Sequence, residues 1–174
     1  MDLNDLKEKI RSVKDFPKPG INFRDITTLI KDPQAFNTVI TKLAEPFRGK
    51  IDVVAGIESR GFIIGGAVAH ELGVGFVPLR KQGKLPWRTI RAEYALEYGF
   101  DALEVHEDAI LKGERVLLVD DLLATGGTAA AARELVEKLG GKLVAFAFLI
   151  ELSSLKGRKK LGDCVVHSLV TYNE

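Results

Sequence analysis

Five short apolar runs, separated by segments of helical periodicity, constrain this chain more than any other feature. They are IDVVAGI (51–57), VGFVPL (74–79), ERVLLVD (114–120), KLVAFAFLIEL (142–152) and CVVHSLV (164–170). A strand apolar on consecutive residues has no polar face to offer water, so it must be covered on both sides. Between the runs, residues 61–72 are apolar and small, which suits a buried helix. Residues 128–139 form an Ala-rich helix that Gly140-Gly141 stops. Strands and helices in alternation predict an α/β fold with a central, mainly parallel sheet flanked by helices. The 174 residues suit one domain with a real core, read here as spanning 1–174.

The N-terminal part is less regular. Leu3, Leu6, Ile10 and Val13 fall at helical spacing and predict an opening amphipathic helix. In DFPKPGINF, Pro17, Pro19 and Gly20 stop that helix and force an ordered or lid-like loop. Asp32-Pro33 reads as an N-cap followed by proline at the first helical position. Phe36, Val39, Ile40, Leu43, Ala44 and Phe47 then form an apolar stripe that packs on the core. Residues 80–109 are polar, are broken by Gly83, Pro86 and Gly99, and show no long apolar period. A long insertion of that kind in a compact domain is usually functional, often a lid.

Charge and cysteine usage exclude several classes. With 25 basic and 24 acidic residues the net charge is +1, which gives no footing for a nucleic-acid binder. The lone Cys164 has no internal partner and sits in an apolar run, so a buried thiol in a reducing compartment is expected. MDLNDLKEKI lacks the apolar stretch of a secretory signal, and no run approaches a membrane span. The expectation is a soluble, cytoplasmic protein with no membrane or nucleic-acid partner.

The chemistry concentrates in VLLVDDLLATGGT (116–128), an apolar strand followed by two acids, a small-residue loop and a helix. In open parallel sheets, ligands bind at the carboxyl ends of the strands. Ala124, Thr125, Gly126, Gly127 and Thr128 leave backbone amides uncovered at a helix N-terminus, where the helix dipole favours a phosphate. Asp120 and Asp121 would repel a phosphate beside them but accept well from vicinal hydroxyls. Phosphate at the loop and diol at the acids describe a ribose 5-phosphate. The loop is neither GxxxxGK[ST] nor GxGxxG. The plainer alternative is a helix capped by Thr125 with acids at its rim.

This segment resembles the phosphoribosyl-diphosphate motif of the type I phosphoribosyltransferases, and LLATGGT after two acids is close to the adenine-specific branch of that family. DFPKPGINFRDIT, ESRGF, VPLRKQGKLP, YALEYG and ELSSLKGR resemble the same branch, in order and at its spacing, over nearly the whole chain. The resemblance implies the reaction of adenine with phosphoribosyl diphosphate to give AMP and diphosphate, a homodimer, and Mg²⁺ held through the diphosphate and ribose rather than directly by protein. It also implies a base-binding hood over 1–34 and a lid over 80–109.

Further site residues follow from motif and resemblance together. Arg60, in ESRG at the start of a helix, is a contact to diphosphate by the resemblance and otherwise a surface arginine. Arg80, Lys81 and Lys84 cluster at a strand's carboxyl end, where three cations suit a substrate with three phosphates. Arg88 and Arg91 lie further into the lid and read as solvated, and Trp87 either packs the lid shut or lies on the surface. In INFRD, Phe23 offers a stacking platform for a flat base, or else a core anchor for the loop. Backbone near Ile21 or Asn22 would accept from the exocyclic amine, and Arg24 would donate to a ring nitrogen. Position 22 is often apolar in the family, so Asn22 is a departure. Leu122 and Leu152 match positions lining the base pocket. By resemblance Glu97 is the lid carboxylate that handles the purine proton, with Tyr98 beside the reacting centre.

His70, His106 and His167 lack partners at metal or triad spacing and read as structural. Three rival functions stand beside the main one, of which a structural or interaction module leaves the two anion-binding turns unexplained. A transferase for hypoxanthine or xanthine wants a donor at the 6-oxo group, often lysine, and INFRD and LEYG argue against it only by family pattern. A non-catalytic sensor of phosphoribosyl diphosphate carries an added DNA-binding domain, for which the N-terminal helix is too short.

Overall fold

The structure, a computed structural model, describes residues 1–96 and 98–173. A short helix α1 (Leu3–Lys9) leads into an antiparallel hairpin of β1 (Arg11–Lys14) and β2 (Asn22–Asp25). The expected opening helix thus stops earlier than its spacing suggests. Ile10 caps it in an extended conformation, and Val13 pairs with Phe23 across the hairpin. Cross-strand pairing overrides the weak helical preference of so short a segment. A five-residue helix α2 (Thr27–Lys31), which the spacing did not indicate, precedes α3 (Pro33–Ala44). The Asp32 side chain accepts from the Gln34 and Ala35 amides at the head of α3, with Pro33 at its first position, as expected.

The rest is β3 (Val53–Ile57), α4 (Arg60–Leu72), β4 (Gly75–Lys81), β5 (Thr89–Ala95), β6 (Phe100–His106), β7 (Arg115–Leu123), α5 (Gly127–Lys138), β8 (Lys142–Leu152) and β9 (Val165–Tyr172). Seven strands form one sheet in the order β5-β6-β4-β3-β7-β8-β9. The five apolar runs are its parallel part. Alternation along each run feeds two cores. Val54, Leu117, Val119, Ala145 and Ala147 pack on one face with α1 to α4. Val53, Ala55, Leu118, Phe146 and Phe148 pack on the other with α5. Both faces being buried is why these strands read as continuous apolar runs.

The described part of residues 80–109 is more regular than a polar insertion suggests. β5 and β6 form an antiparallel hairpin that extends the sheet beyond β4. Its inner face carries Ala92, Tyr94, Leu103 and Val105, all buried in the second core. That face alternates with Arg91 and Glu93, so the signal has period two and is too short to stand out in a polar stretch. Among the described residues, no helix is long and apolar enough to cross a membrane.

Candidate active site

The carboxyl ends of β3 and β7 open onto a cavity of about 390 Å³. β3 runs into Glu58, Ser59 and Arg60, and β7 runs through Asp120 and Asp121 into the loop before α5. Parallel pairing of β3 with β7 sets these two turns side by side. Arg60, Lys81, Asp120, Asp121, Leu122 and residues 124–128 all line this one space.

The loop end is built from backbone. Gly126 caps α5 in the left-handed conformation at φ 83°, and no side chain caps the helix. Thr125 therefore does not consume the first-turn amides, which remain open to an anion. Gly126 is required twice over. Its φ disfavours a Cβ, and a Cβ there would lie 2.5 Å from the Gly157 carbonyl oxygen. Gly157 in turn has no room for a side chain against the Ala124 carbonyl.

The acid pair sits between the two turns. The Asp121 amide donates to Asp120 Oδ1 at 2.9 Å, and Asp121 Oδ2 meets Arg60 Nε at 2.6 Å. Burial, and then the neighbouring charge of Asp121, push the Asp120 carboxyl well above its ordinary range. Gly61 lets α4 approach this pair, since a Cβ there would come within 2.8 Å of Asp120 Oδ1.

The opposite end is a network of ion pairs. Glu58, a residue quoted in ESRG but given no role by the sequence, is its hub. It accepts from the Lys81 amide at 2.5 Å and from Lys84 Nζ at 2.7 Å, with Arg80 Nε at 3.6 Å. Burial works to raise its carboxyl, but the bonds from Lys84 and Lys81 and the two nearby cations outweigh it and hold the group below its ordinary value. Lys81 Nζ binds Asp101 and Tyr94 Oη, and the bonds to those two raise its ammonium above the usual value. Glu58 and Asp101 lie 26 and 20 residues from their cations, so no local motif announces them.

The remaining predicted residues flank the cavity or stand apart from it. The Phe23 ring lies against the Arg60 guanidinium at 5.0 Å, which brings the hood hairpin to the rim. Alternation along β2 turns Asn22 and Arg24 away from Phe23. Arg24 is buried with its guanidinium 3.8 Å from the centre of the Tyr172 ring, and it donates to Ser12 Oγ; it does not reach the cavity. Leu152 packs against the first core, away from the lining. Arg80 and Lys84 approach through Glu58 rather than lining the space. Glu97 lies outside the described residues. Its neighbour Tyr98 is 85% exposed and lines no part of the cavity. Among the described residues no group of three or more His, Cys, Asp or Glu side chains is placed to hold a metal ion.

Comparison with known proteins follows the same line. The family pattern of the phosphoribosyl transferase domain matches residues 27–173. The adenine phosphoribosyltransferase of Maricaulis maris is 56% identical over 171 residues, covering 97% of this chain and 98% of that protein. The solved adenine phosphoribosyltransferase of Thermoanaerobacter pseudethanolicus superposes with a TM-score of 0.95 at 53% identity, covering 98% of this chain and 99% of that one. The Saccharomyces cerevisiae enzyme, solved with adenine and an imino-altritol bisphosphate, superposes at 0.91 with 45% identity, covering 96% and 97%.

Proposed function

The chain belongs to the phosphoribosyltransferase family, and from that premise we propose how its own residues carry the reaction. That reaction is phosphoribosyl transfer to adenine, in which adenine and phosphoribosyl diphosphate give AMP and diphosphate. The supporting observation is one cavity that holds an uncapped helix start at Gly127, the Asp120–Asp121 pair, and the cations Arg60 and Lys81.

The 5-phosphate lies on the amides of residues 124–128, and the two acids accept from the ribose hydroxyls. The diphosphate lies toward Arg60 and Lys81, with Arg80 and Lys84 behind. As the C1–O bond breaks, its electron pair leaves with diphosphate. A purine ring nitrogen bonds to C1 from the opposite face and loses its proton. Glu97 is the residue proposed to take that proton. Catalysis here is mainly positioning and charge. A Mg²⁺ arriving with the substrate would be held through diphosphate and ribose rather than by protein side chains, and it would offset charge on the leaving group.

Phe23 and Leu122 flank the base, with the backbone at Asn22 as acceptor; Arg24 and Leu152 support this wall from outside. The lid proposed within residues 80–109 keeps water from C1. We assign the working form as a cytoplasmic homodimer.

The experiment offers adenine, hypoxanthine and guanine separately with phosphoribosyl diphosphate and Mg²⁺ and measures nucleotide formed. AMP from adenine alone is expected. IMP or GMP as the main product would overturn the base assignment, and binding of phosphoribosyl diphosphate without turnover would favour the sensor.

A further inference from the structure

The cations at the diphosphate end all have acidic partners. Arg60 meets Asp121, Arg80 and Lys84 meet Glu58, and Lys81 meets Asp101. Beside the loop end, exposed and outside the cavity lining, stands a lysine of a different kind. Lys160 Nζ lies 4.0 Å from the point where a Cβ on Gly127 would sit, a point that is itself 3.9 Å from the Tyr94 ring and from the Ala95 carbonyl. Among the described residues this ammonium has no ion-pair partner.

Its position is fixed by the segment that carries it. Gly157 abuts Gly126 and Ala124 at backbone distance, as described above. Arg158 donates to both oxygens of Glu151 at 2.7 and 2.6 Å, to the Val166 carbonyl and to Ser168 Oγ. Leu161 is fully buried, and its carbonyl accepts from Arg133 at 2.9 Å. The backbone from 157 to 161 is thus pinned before, at and after the turn that presents Lys160, and only the lysine side chain is free to reorient.

We infer that Lys160 is a further phosphate-binding residue. It supplies a side-chain positive charge to the 5-phosphate of phosphoribosyl diphosphate and AMP, beside the amides of the loop. The inference rests on the 5-phosphate occupying that loop. An unpaired ammonium next to a dianion site gains a charge-assisted bond without giving up an existing partner, whereas each cation at the other end must exchange one.

The test measures dissociation constants of ribose 5-phosphate and of inorganic diphosphate for the full chain and for Lys160→Gln, Lys160→Arg, Thr125→Ala and Gly126→Ala. Lys160→Gln is expected to weaken ribose 5-phosphate by about fivefold to tenfold, to leave diphosphate unchanged, and to raise KM for phosphoribosyl diphosphate more than it lowers kcat. Lys160→Arg is expected to restore most of the loss. Equal weakening of both probes, or no weakening of ribose 5-phosphate, overturns the assignment. In the second case Thr125→Ala and Gly126→Ala separate the failures. If either weakens ribose 5-phosphate, only the lysine's role falls; if neither does, the loop reading falls with it.

Discussion

The two ends of the cavity are built by different means. At the loop end the groups are amides fixed by Gly126, by the start of α5 and by the Gly157 contact. Their geometry exists before any ligand arrives and needs no counter-charge. At the other end the groups are long side chains, already engaged by Glu58, Asp101 and Asp121. A ligand there must displace carboxylates as it binds. The contrast assigns affinity and register to the loop, and rearrangement during the reaction to the paired cations.

The largest effect is expected from breaking the rigid end. Gly126→Ala forces a Cβ into a left-handed residue and into the Gly157 carbonyl. Steady-state kinetics should show kcat/KM falling by about 100-fold or more, about 3 kcal/mol, with circular dichroism unchanged. A fall of less than threefold would mean the loop backbone does not carry phosphate binding. Next comes the acid pair, where function and stability should move in opposite directions. Asp120→Asn removes a carboxylate disfavoured by burial and by Asp121. Turnover should drop by about tenfold while Tm rises by roughly 2–4 °C, about 1 kcal/mol at this chain length. Calorimetry showing a lower Tm would contradict the burial argument.

At the paired end, Glu58→Gln releases Lys84 and loosens Arg80 and the Lys81 backbone. Lost positioning of these groups outweighs the lost competition from the carboxylate, so KM for phosphoribosyl diphosphate should rise by about fivefold with KM for adenine unchanged. Because the Glu58 carboxyl is held below its ordinary value, its network is present above that value and is lost as pH falls through the folded one. The rise in KM on acidification should therefore be flatter in the variant. The smallest effect belongs to Asp25, which lies on the hood hairpin outside the cavity lining. Bonds from Thr27 and Arg11 lower Asp25 to about 2 from an ordinary 3.8. Its contribution is complete above 3.8 and is lost as pH falls through about 2, so Asp25→Asn should lose less stability than the parent over that window in acid titrations.

The rigid end was also the legible one. Asp120, Asp121 and residues 124–128 are contiguous, and the chemistry of a strand, two acids and an uncapped helix can be read along the chain. The parallel strands were legible because burial on both faces leaves unbroken apolar runs. The paired end was legible only by half. Arg60, Arg80, Lys81 and Lys84 stand out as cations, but the carboxylates that hold them come from other elements and depend on tertiary approach. Lys160 was hidden in a basic run, KGRKK, where nothing local marks one lysine from the next. The β1–β2 and β5–β6 hairpins were missed for a related reason. Short, half-polar strands take their identity from the partner across the turn, and Val13 even continues a helical spacing that Ile10 has already ended.

The most direct test of the account is a crystal structure of the chain with AMP bound. The account predicts phosphate oxygens within hydrogen-bond distance of the Gly126, Gly127 and Thr128 amides, and ribose hydroxyls on Asp120 and Asp121. Phosphate seated instead among Arg60, Lys81 and Lys84, with the loop amides facing water, would contradict it.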